Sequence, residues 1–154
     1  MTHHRRPDPR GTPRPGTLAE RARRTEDVIE RHRTKPFSWM GANCIRLARA
    51  QAVALGHKLP PVPPFRSALS ARRALATRGA KSVGELLDKY FPRLPAPAFA
   101  IAGDLVTLPG EDGELEAVMI ADGLGNLYGW HGAGNDRIVT VKLAMGGAIA
   151  AWRL

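Results

Sequence analysis

Apolar residues recur at helical spacing through the first half of the chain and at strand spacing through the second half. In the first half, Thr17, Asn43 and Ser82 precede segments with apolar residues three and four positions apart, and all three are residue types that favour a helix N-cap. Glycine or proline ends these segments. The pattern predicts helices over 18–33, 44–55 and 66–78, and a short fourth helix after Ser82.

Short apolar or alternating runs fill the second half. They are PAPAFAIAGDLVTL, ELEAVMIADG, NLYGWHG, DRIVTVKL and GAIAAWRL, and turn-forming glycine, asparagine and aspartate separate them. Four or five strands joined by short turns predict an antiparallel sheet or a small barrel. Helices followed by strands indicate an α+β fold, in which the helix over 44–55 packs against the sheet.

Three segments differ in composition. Residues 1–16 are rich in arginine, proline, glycine and histidine and cannot offset the entropy of ordering, so we predict a flexible basic arm. A charged helix follows over 17–35, and a domain over 36–154. Because the apolar stripe of the charged helix is broken, we expect it to pack lightly or to dock on a neighbouring subunit.

The net charge of +9 and the pI near 10.8 suit an anionic partner. Nucleic acid, a lipid headgroup surface and a wall polymer all fit, and charge alone does not choose among them. No apolar run approaches the roughly 18 residues of a membrane span, and the start of the chain lacks the apolar core of a secretion signal. One cysteine excludes an intrachain disulfide, and no metal-ligand cluster or cofactor motif is visible, so we predict neither a metal nor a cofactor.

Cys44 occupies the first position of a predicted helix, next to the capping Asn43. Backbone N–H groups without intrahelical partners surround this position, and they can lower a thiol pKa from about 8.5 toward or below neutrality. This setting is typical of a nucleophile. The alternative is that Cys44 is a small buried apolar residue, the commoner role of a lone cysteine. Projection of the helix places four residues on its buried face, with Cys44 at the edge: Ile45, Ala48, Ala52 and Leu55.

Two motifs resemble the NlpC-type, papain-like cysteine peptidases. The run from Trp39 to Cys44 is similar to the Trp-Gly and Asp-Cys pattern that begins the central helix of that family, and residues 103–106, Gly-Asp-Leu-Val, are similar to the opening of its sheet. Residues 151–153, Ala-Trp-Arg, resemble the last strand of compact members encoded in phage and gene-transfer-agent tail modules. The resemblance covers about 36–154.

The resemblance implies a cysteine that attacks a peptide carbonyl of the bacterial wall, a sheet histidine that accepts the thiol proton, and backbone amides that hold the oxyanion. At the position of the family histidine this chain has Glu116 or a neighbour, and a carboxylate there would raise the thiol pKa. His131 is the only histidine of the sheet half. It can act as the base if it lies within hydrogen-bond reach of Cys44; otherwise it is a turn histidine exposed to solvent. His57, roughly 18 Å from Cys44 along the helix, is a poor candidate.

These observations predict a structural or assembly protein of a phage tail tip with a degenerate Cys44 and His131 site. Its partners would be other tail-tip proteins and peptidoglycan, and its location the virion, after a stage in the cytoplasm of the bacterial host. Hydrolytic activity is either lost or depends on an atypical pair of Cys44 and His131. One alternative is an active cysteine peptidase that cleaves peptidoglycan peptides during genome delivery, and a second is a basic nucleic-acid-binding protein that uses residues 1–16.

Overall fold

The structure, a computed structural model, describes residues 12–110, 115–132 and 136–154.

Polar N-cap side chains fix the starts of the helices. The N-cap side chains of Thr17, Asn43, Ser67 and Ser82 each accept a hydrogen bond from the backbone N–H three residues later. The helices are α1 (Leu18–His32), α2 (Cys44–Ala54), α3 (Ala68–Thr77) and α4 (Val83–Asp88). The predicted helices are therefore confirmed, with small differences at their ends.

Five antiparallel strands follow, in the spatial order β4-β3-β2-β1-β5. They are β1 (Leu105–Leu108), β2 (Ala117–Ala121), β3 (Asn126–Gly129), β4 (Val139–Lys142) and β5 (Ala150–Trp152). The apolar run ahead of β1 does not extend that strand. Its residues Pro97–Phe99 form a short 3-10 turn instead, because proline has no N–H for a sheet ladder. The four helices and the sheet of the described residues confirm the predicted α+β class.

The sheet separates two apolar clusters. On its inner face, Val118 and Ile120 of β2 pack with residues of α2 such as Leu47. On its outer face, Met119 and Ala121 pack with Val106 and with loop residues that cover the sheet. Both faces are therefore buried, as the alternation of side chains along a strand requires when each face meets other elements.

Helix α2 is buried on a wider face than its apolar pattern predicts. Ala48, Ala52 and Leu55 are buried as expected, but Leu47 and Gln51 are fully buried too, whereas Ile45 is only half-buried. The cause is that α2 contacts α1 as well as β2. The helical projection assumes that α2 packs against the sheet alone, so it predicts a buried face that leaves out the residues facing α1.

Helix α1 packs more tightly than its broken apolar stripe predicts. Val28 is fully buried, and the polar Arg21 and Thr25 are buried beside it. Arg21 donates hydrogen bonds to Asp104 and to the backbone carbonyls of Ala102 and Leu154. Polar groups with partners can be buried at low cost, so this helix is held by contacts that a count of apolar residues misses.

Residues 12–16, the last part of the predicted basic arm, lie against the end of α2. The hydroxyl of Thr12 donates to the carbonyl of Ala54 at 3.0 Å, and Arg14 Nη1 lies 2.9 Å from His57 Nε2. His57 also packs edge-on against the ring of Phe91. Residues 1–11, which carry the rest of the predicted arm and of the nucleic-acid alternative, lie outside the described residues.

We expect His57 to make folding stability depend on pH. Burial, with smaller contributions from Arg14 and Arg21, lowers the pKa of His57 to about 4. Its ordinary pKa is near 6.5, so the unfolded chain binds the proton more tightly than the folded one. Stability is therefore complete above pH 6.5 and falls as the pH drops from 6.5 toward 4. After allowance for solvent screening, the loss should be about 1 kcal/mol.

The measurement is the free energy of unfolding in urea at pH 7.5 and pH 4.5, for the wild type and for His57→Gln. The variant should lose less stability on acidification than the wild type. Equal losses in the two proteins would show that His57 does not contribute.

Candidate functional site

Cys44 and His131 line one groove of about 340 Å³. The N-terminus of α2 forms one side, and residues just before β2 and just after β3 form the other. Glu116, which precedes β2, lines the same groove. The structure thus brings together the two proposed catalytic residues and the glutamate at the position of the family histidine.

The side chain of Asn43 shapes the loop that leads to Cys44. Its Oδ1 accepts from the N–H of Arg46, which caps α2, and its Nδ2 lies 3.2–3.3 Å from the carbonyls of Ser38, Trp39 and Gly41. The sequence predicts the cap but not the second set of contacts, because those depend on how the loop folds back. Asn43 therefore fixes both the loop and the first turn of the helix.

The thiol of Cys44 has a raised pKa. The backbone N–H groups of Cys44, Ile45 and Val118 favour the thiolate, but burial outweighs them and favours the neutral thiol. The residue is partly exposed as a whole, yet it packs against the inner apolar cluster. The predicted lowering of the pKa by the helix N-terminus is therefore wrong, because desolvation is the larger effect.

His131 does not pair with the thiol in this structure. Within the described residues, no hydrogen bond joins Cys44 Sγ to a ring nitrogen of His131, although both side chains face the groove. The strand end before His131 is held by Trp130, whose Nε1 donates to the carbonyl of Lys35 at 2.9 Å. His57 lies near the opposite end of α2, bound to Arg14. The proton acceptor that a cysteine peptidase needs is thus not engaged.

Glu116 lies in the groove but its carboxylate is near helix α4. A Cβ added at Gly84 would stand 3.3 Å from Glu116 Oε2 and 3.5 Å from Arg93 Nη2. We predicted from the sequence that this carboxylate would raise the pKa of Cys44. The pKa is raised, but burial and not Glu116 is the cause.

Four aromatic rings form a connected wall along the groove. Phe37 packs edge-on against Trp39 with ring centroids 5.0 Å apart and against Trp130 at 6.4 Å, and Trp39 packs against Phe65 at 6.2 Å. All four line the groove. From the sequence, the tryptophans are interpreted as core or edge packing only. The signal for a wall was the closeness of Phe37 and Trp39 to Cys44 in the sequence.

The described residues contain neither a metal-ligand cluster nor a helix that could span a membrane. Across 12–110, 115–132 and 136–154, no group of three or more histidine, cysteine, aspartate or glutamate side chains could hold a metal ion. None of the helices in these ranges is both long and apolar enough to cross a bilayer.

The fold resembles solved NlpC/p60 structures. NlpC1 from Trichomonas vaginalis is 12% identical, with a TM-score of 0.51 over 87% of this chain and 43% of that one, so the chain spans less than half of its length. RipD from Mycobacterium tuberculosis, described as a non-catalytic NlpC/p60 domain protein adapted to peptidoglycan binding, is 20% identical, with a TM-score of 0.47 over 87% and 97% of the two chains. The P60 domain of a Mycobacterium avium paratuberculosis antigen is 20% identical, with a TM-score of 0.45 over 88% and 96%.

The likeness to NlpC1 confirms the predicted NlpC-like fold. No curated protein matches the sequence. A family model does match it, over residues 17–154, and this span includes α1 together with the groove and the whole sheet. The chain belongs to the family described as Domain of unknown function (DUF6950).

Proposed function

We propose that this protein is a structural or assembly component of a phage tail tip, built on an NlpC-like fold. Its groove binds peptidoglycan without hydrolysing it. In this proposal it contacts other tail-tip proteins and peptidoglycan, and it resides in the virion after a stage in the host cytoplasm. The tail assignment is supported by the likeness of residues 151–153 to the last strand of compact tail-module members. The lack of hydrolysis is supported by two features of the groove: the raised pKa of the Cys44 thiol, and the missing hydrogen bond from His131 to its sulfur within the described residues.

One observation carries the non-catalytic part of the proposal: the Cys44 thiol is desolvated and has no imidazole bound to it. A cysteine nucleophile needs either a lowered pKa or an adjacent base that removes its proton. Burial raises the pKa of Cys44, and His131 makes no hydrogen bond to its sulfur within the described residues. At neutral pH the sulfur is therefore a protonated, weak nucleophile.

The motif that carries the family resemblance has a structural role in this chain. Gly103 lies against Thr25 and Gln51, and the Asp104 carboxylate binds Arg21 and Arg153. These contacts join α1 and α2 to the sheet. Gly103 and Asp104 therefore stabilise the fold whether or not the groove catalyses a reaction, so the likeness can persist without activity.

Cys44→Ala is the direct test of the non-catalytic role. The wild type should release no amino groups from purified peptidoglycan, and Cys44→Ala should behave in the same way. Alkylation of Cys44 by iodoacetamide should be slow at pH 7 and should accelerate only above the ordinary range of a cysteine pKa, because burial keeps the thiol protonated. In phage particles, deletion of the coding sequence should remove tails, and complementation with either the wild type or Cys44→Ala should restore them.

An active peptidase is the second candidate, favoured by the shared groove of Cys44 and His131 and by the backbone N–H groups around the sulfur. It predicts that the wild type releases peptide products from the wall. It also predicts that Cys44→Ala and His131→Gln each abolish this release, while His57→Gln, far from the groove, does not. That result would overturn the non-catalytic role. Normal tails after deletion of the coding sequence would overturn the tail assignment.

A further inference from the structure

The positive charge of the chain is concentrated in one stretch. Residues 31–84, which include α2 and α3, carry eleven lysine and arginine side chains and no aspartate or glutamate. The rest of the chain carries twelve lysine and arginine side chains against fourteen aspartate and glutamate side chains, so it is slightly negative. The net charge of +9 therefore comes from the part that contains α2 and α3, and a partner that meets these helices meets cations.

An apolar cavity of about 100 Å³ lies within this basic part. Helices α2, α3 and α4 and the proline-rich residues 59–63 form its walls. Cys44 and His131 do not line it. Five residues line both the cavity and the groove of Cys44, and so form the boundary between the two: Ile45, Phe65, Ala71, Val83 and Leu115.

Two arginines border the apolar cavity. Among the described residues that line it, Arg49 and Arg78 are the only charged ones. Arg49 donates from Nε to the carbonyl of Pro60 at 2.9 Å and from Nη2 to that of Leu59 at 3.1 Å. Arg78 Nη1 lies 3.4 Å from the Tyr90 hydroxyl. The partners of both guanidinium groups within the described chain are therefore neutral, and they hold the groups without compensating their charge.

The acidic side chains of α4 do not compensate these charges. Neither Glu85 nor Asp88 lines the apolar cavity. Glu85 accepts from the backbone N–H of Lys81, and Asp88 binds Arg93 through both carboxylate oxygens at 2.9 Å. An anionic group at the cavity would therefore meet two guanidinium groups that no described carboxylate pairs.

The size and shape of the apolar cavity distinguish among anionic partners. Its volume of about 100 Å³ is below the usual range of about 300–1,000 Å³ for a small-molecule site. A cavity of about 150 Å³ holds a benzene ring, so this one suits a single aliphatic side chain. Nucleic acid presents phosphates but no aliphatic side chain, and a bilayer takes up protruding apolar groups instead of filling a concave surface. A protein segment with an aliphatic side chain between carboxylates matches both the cavity and its arginines.

We propose that the apolar cavity docks a segment of a partner protein in which one aliphatic side chain is flanked by aspartate or glutamate. The aliphatic side chain enters the cavity against Ala74 and Leu86, and the flanking carboxylates meet Arg49 and Arg78. This inference goes beyond the proposed function and does not depend on it, because the cavity is separate from Cys44 and His131.

The test begins with selection of peptides from a displayed random library on the full chain, and the selected peptides are then titrated by fluorescence anisotropy. Selected sequences should be enriched in aspartate and glutamate next to leucine, isoleucine or methionine. Ala74→Leu fills the cavity and should weaken binding about tenfold, as loss of one buried aliphatic side chain does. Ala76→Leu makes the same change on the exposed face of α3 and should leave binding unchanged.

A second pair of variants tests the charge. Arg78→Gln should weaken binding about threefold and should reduce its dependence on salt, because one partly screened ion pair is lost. Arg73→Gln, at an exposed position of the same helix that does not line the cavity, should do neither. Circular dichroism shows whether each variant is folded. If Ala74→Leu does not fold, the comparison of Arg78→Gln with Arg73→Gln decides the outcome.

Four results would each overturn the proposal. They are no enrichment of acidic peptides, equal binding by the wild type and folded Ala74→Leu, unchanged affinity in Arg78→Gln, and equal losses in the two members of either variant pair. Binding of duplex DNA or of phosphatidylglycerol vesicles without any selected peptide would also overturn it, since the basic surface would then serve those partners. Wall digestion and tail formation are measured separately, so failure of the proposed function would leave these outcomes unchanged.

Discussion

Gly103→Ala should destabilise the fold by about 3 kcal/mol, the sum of backbone strain and overpacking. Gly103 has φ of +94°, a conformation that L-residues with a Cβ rarely adopt. A Cβ there would stand 2.8 Å from Thr25 Oγ1, 2.9 Å from Gln51 Nε2 and 3.0 Å from Leu55 Cδ1. Because these atoms lie in α1, in α2 and at the C-cap of α2, the new methyl group would push both helices away from the start of β1.

The atoms around Gly103 have little freedom to move. Gln51 is fully buried, and its Nε2 donates to Thr25 Oγ1 at 3.0 Å and to the carbonyl of Gly103 at 3.2 Å. Its Oε1 is buried without a hydrogen-bond partner among the described residues. A shift of this side chain would break the two bonds that compensate for its burial, and each buried group left unpaired costs about 1–3 kcal/mol.

Gly125→Ala is the matched control. Gly125 also has a positive φ, +88°, but a Cβ there would meet nothing within 4 Å. The Gly125→Ala substitution should lower the free energy of unfolding only by the cost of backbone strain, about 1 kcal/mol. The measurement is the free energy of unfolding in urea for both variants. Equal losses would mean that strain alone explains the effect and that the contacts of Gly103 with α1 and α2 do not matter.

The helices and strands could be predicted because their signals are local. A serine, threonine or asparagine at an N-cap bonds to a backbone N–H only three residues away, so Thr17, Asn43 and Ser82 mark helix starts without any knowledge of the fold. The turns between strands are equally local. The sequence therefore predicted the α+β class and the helix that carries Cys44.

The burial of polar residues could not be predicted in this way. Arg21 and Gln51 are buried because groups more than 25 positions away in the sequence receive their hydrogen bonds. The raised pKa of Cys44 has the same origin, since the thiol is desolvated by burial and the residue packs against the inner apolar cluster. The sequence shows where a helix begins, but tertiary packing determines how far its first turn is exposed to solvent.

The candidate site was predicted in part. Residue type and position single out Cys44 and His131, the family resemblance points to Glu116, and the structure places all three on one groove. Whether His131 bonds to the sulfur, and where the Glu116 carboxylate lies, depend on side-chain directions at the ends of β2 and β3. A strand pattern gives the face of a residue but not the direction of a flexible side chain beyond the strand end.

Asp104→Asn should also destabilise the fold strongly, by about 3–5 kcal/mol, because it leaves a buried guanidinium without its counter-charge. Asp104 is fully buried and accepts from Arg21 at 2.6 Å and Arg153 at 2.8 Å. It also accepts from the backbone N–H groups of Ile101 and Leu154. Burial lowers the pKa of Arg21, and the charge of Asp104 opposes this lowering. Each charge therefore compensates for the burial of the other, and removal of one lowers the stability of the fold. Asparagine would place an amide donor among four existing donors.

Asp88→Asn provides the comparison at the surface. Asp88 binds Arg93 through both carboxylate oxygens at 2.9 Å, yet its side chain is 41% exposed. Water can replace such a pair, so its loss should cost less than about 1 kcal/mol. In thermal unfolding, Asp104→Asn should lower the midpoint by roughly 6–20 °C and Asp88→Asn by much less.

A double variant separates the charge effect from simple loss of hydrogen bonds. If the uncompensated guanidinium is the cause, Asp104→Asn should cost less in an Arg21→Met background than in the wild type, because no buried cation then remains on α1. The same cost in both backgrounds would assign the loss to the other partners of Asp104, which are Arg153 and the backbone groups of Ile101 and Leu154. The ion pair would then contribute little, and the tight docking of α1 on the sheet would be explained by its apolar contacts alone.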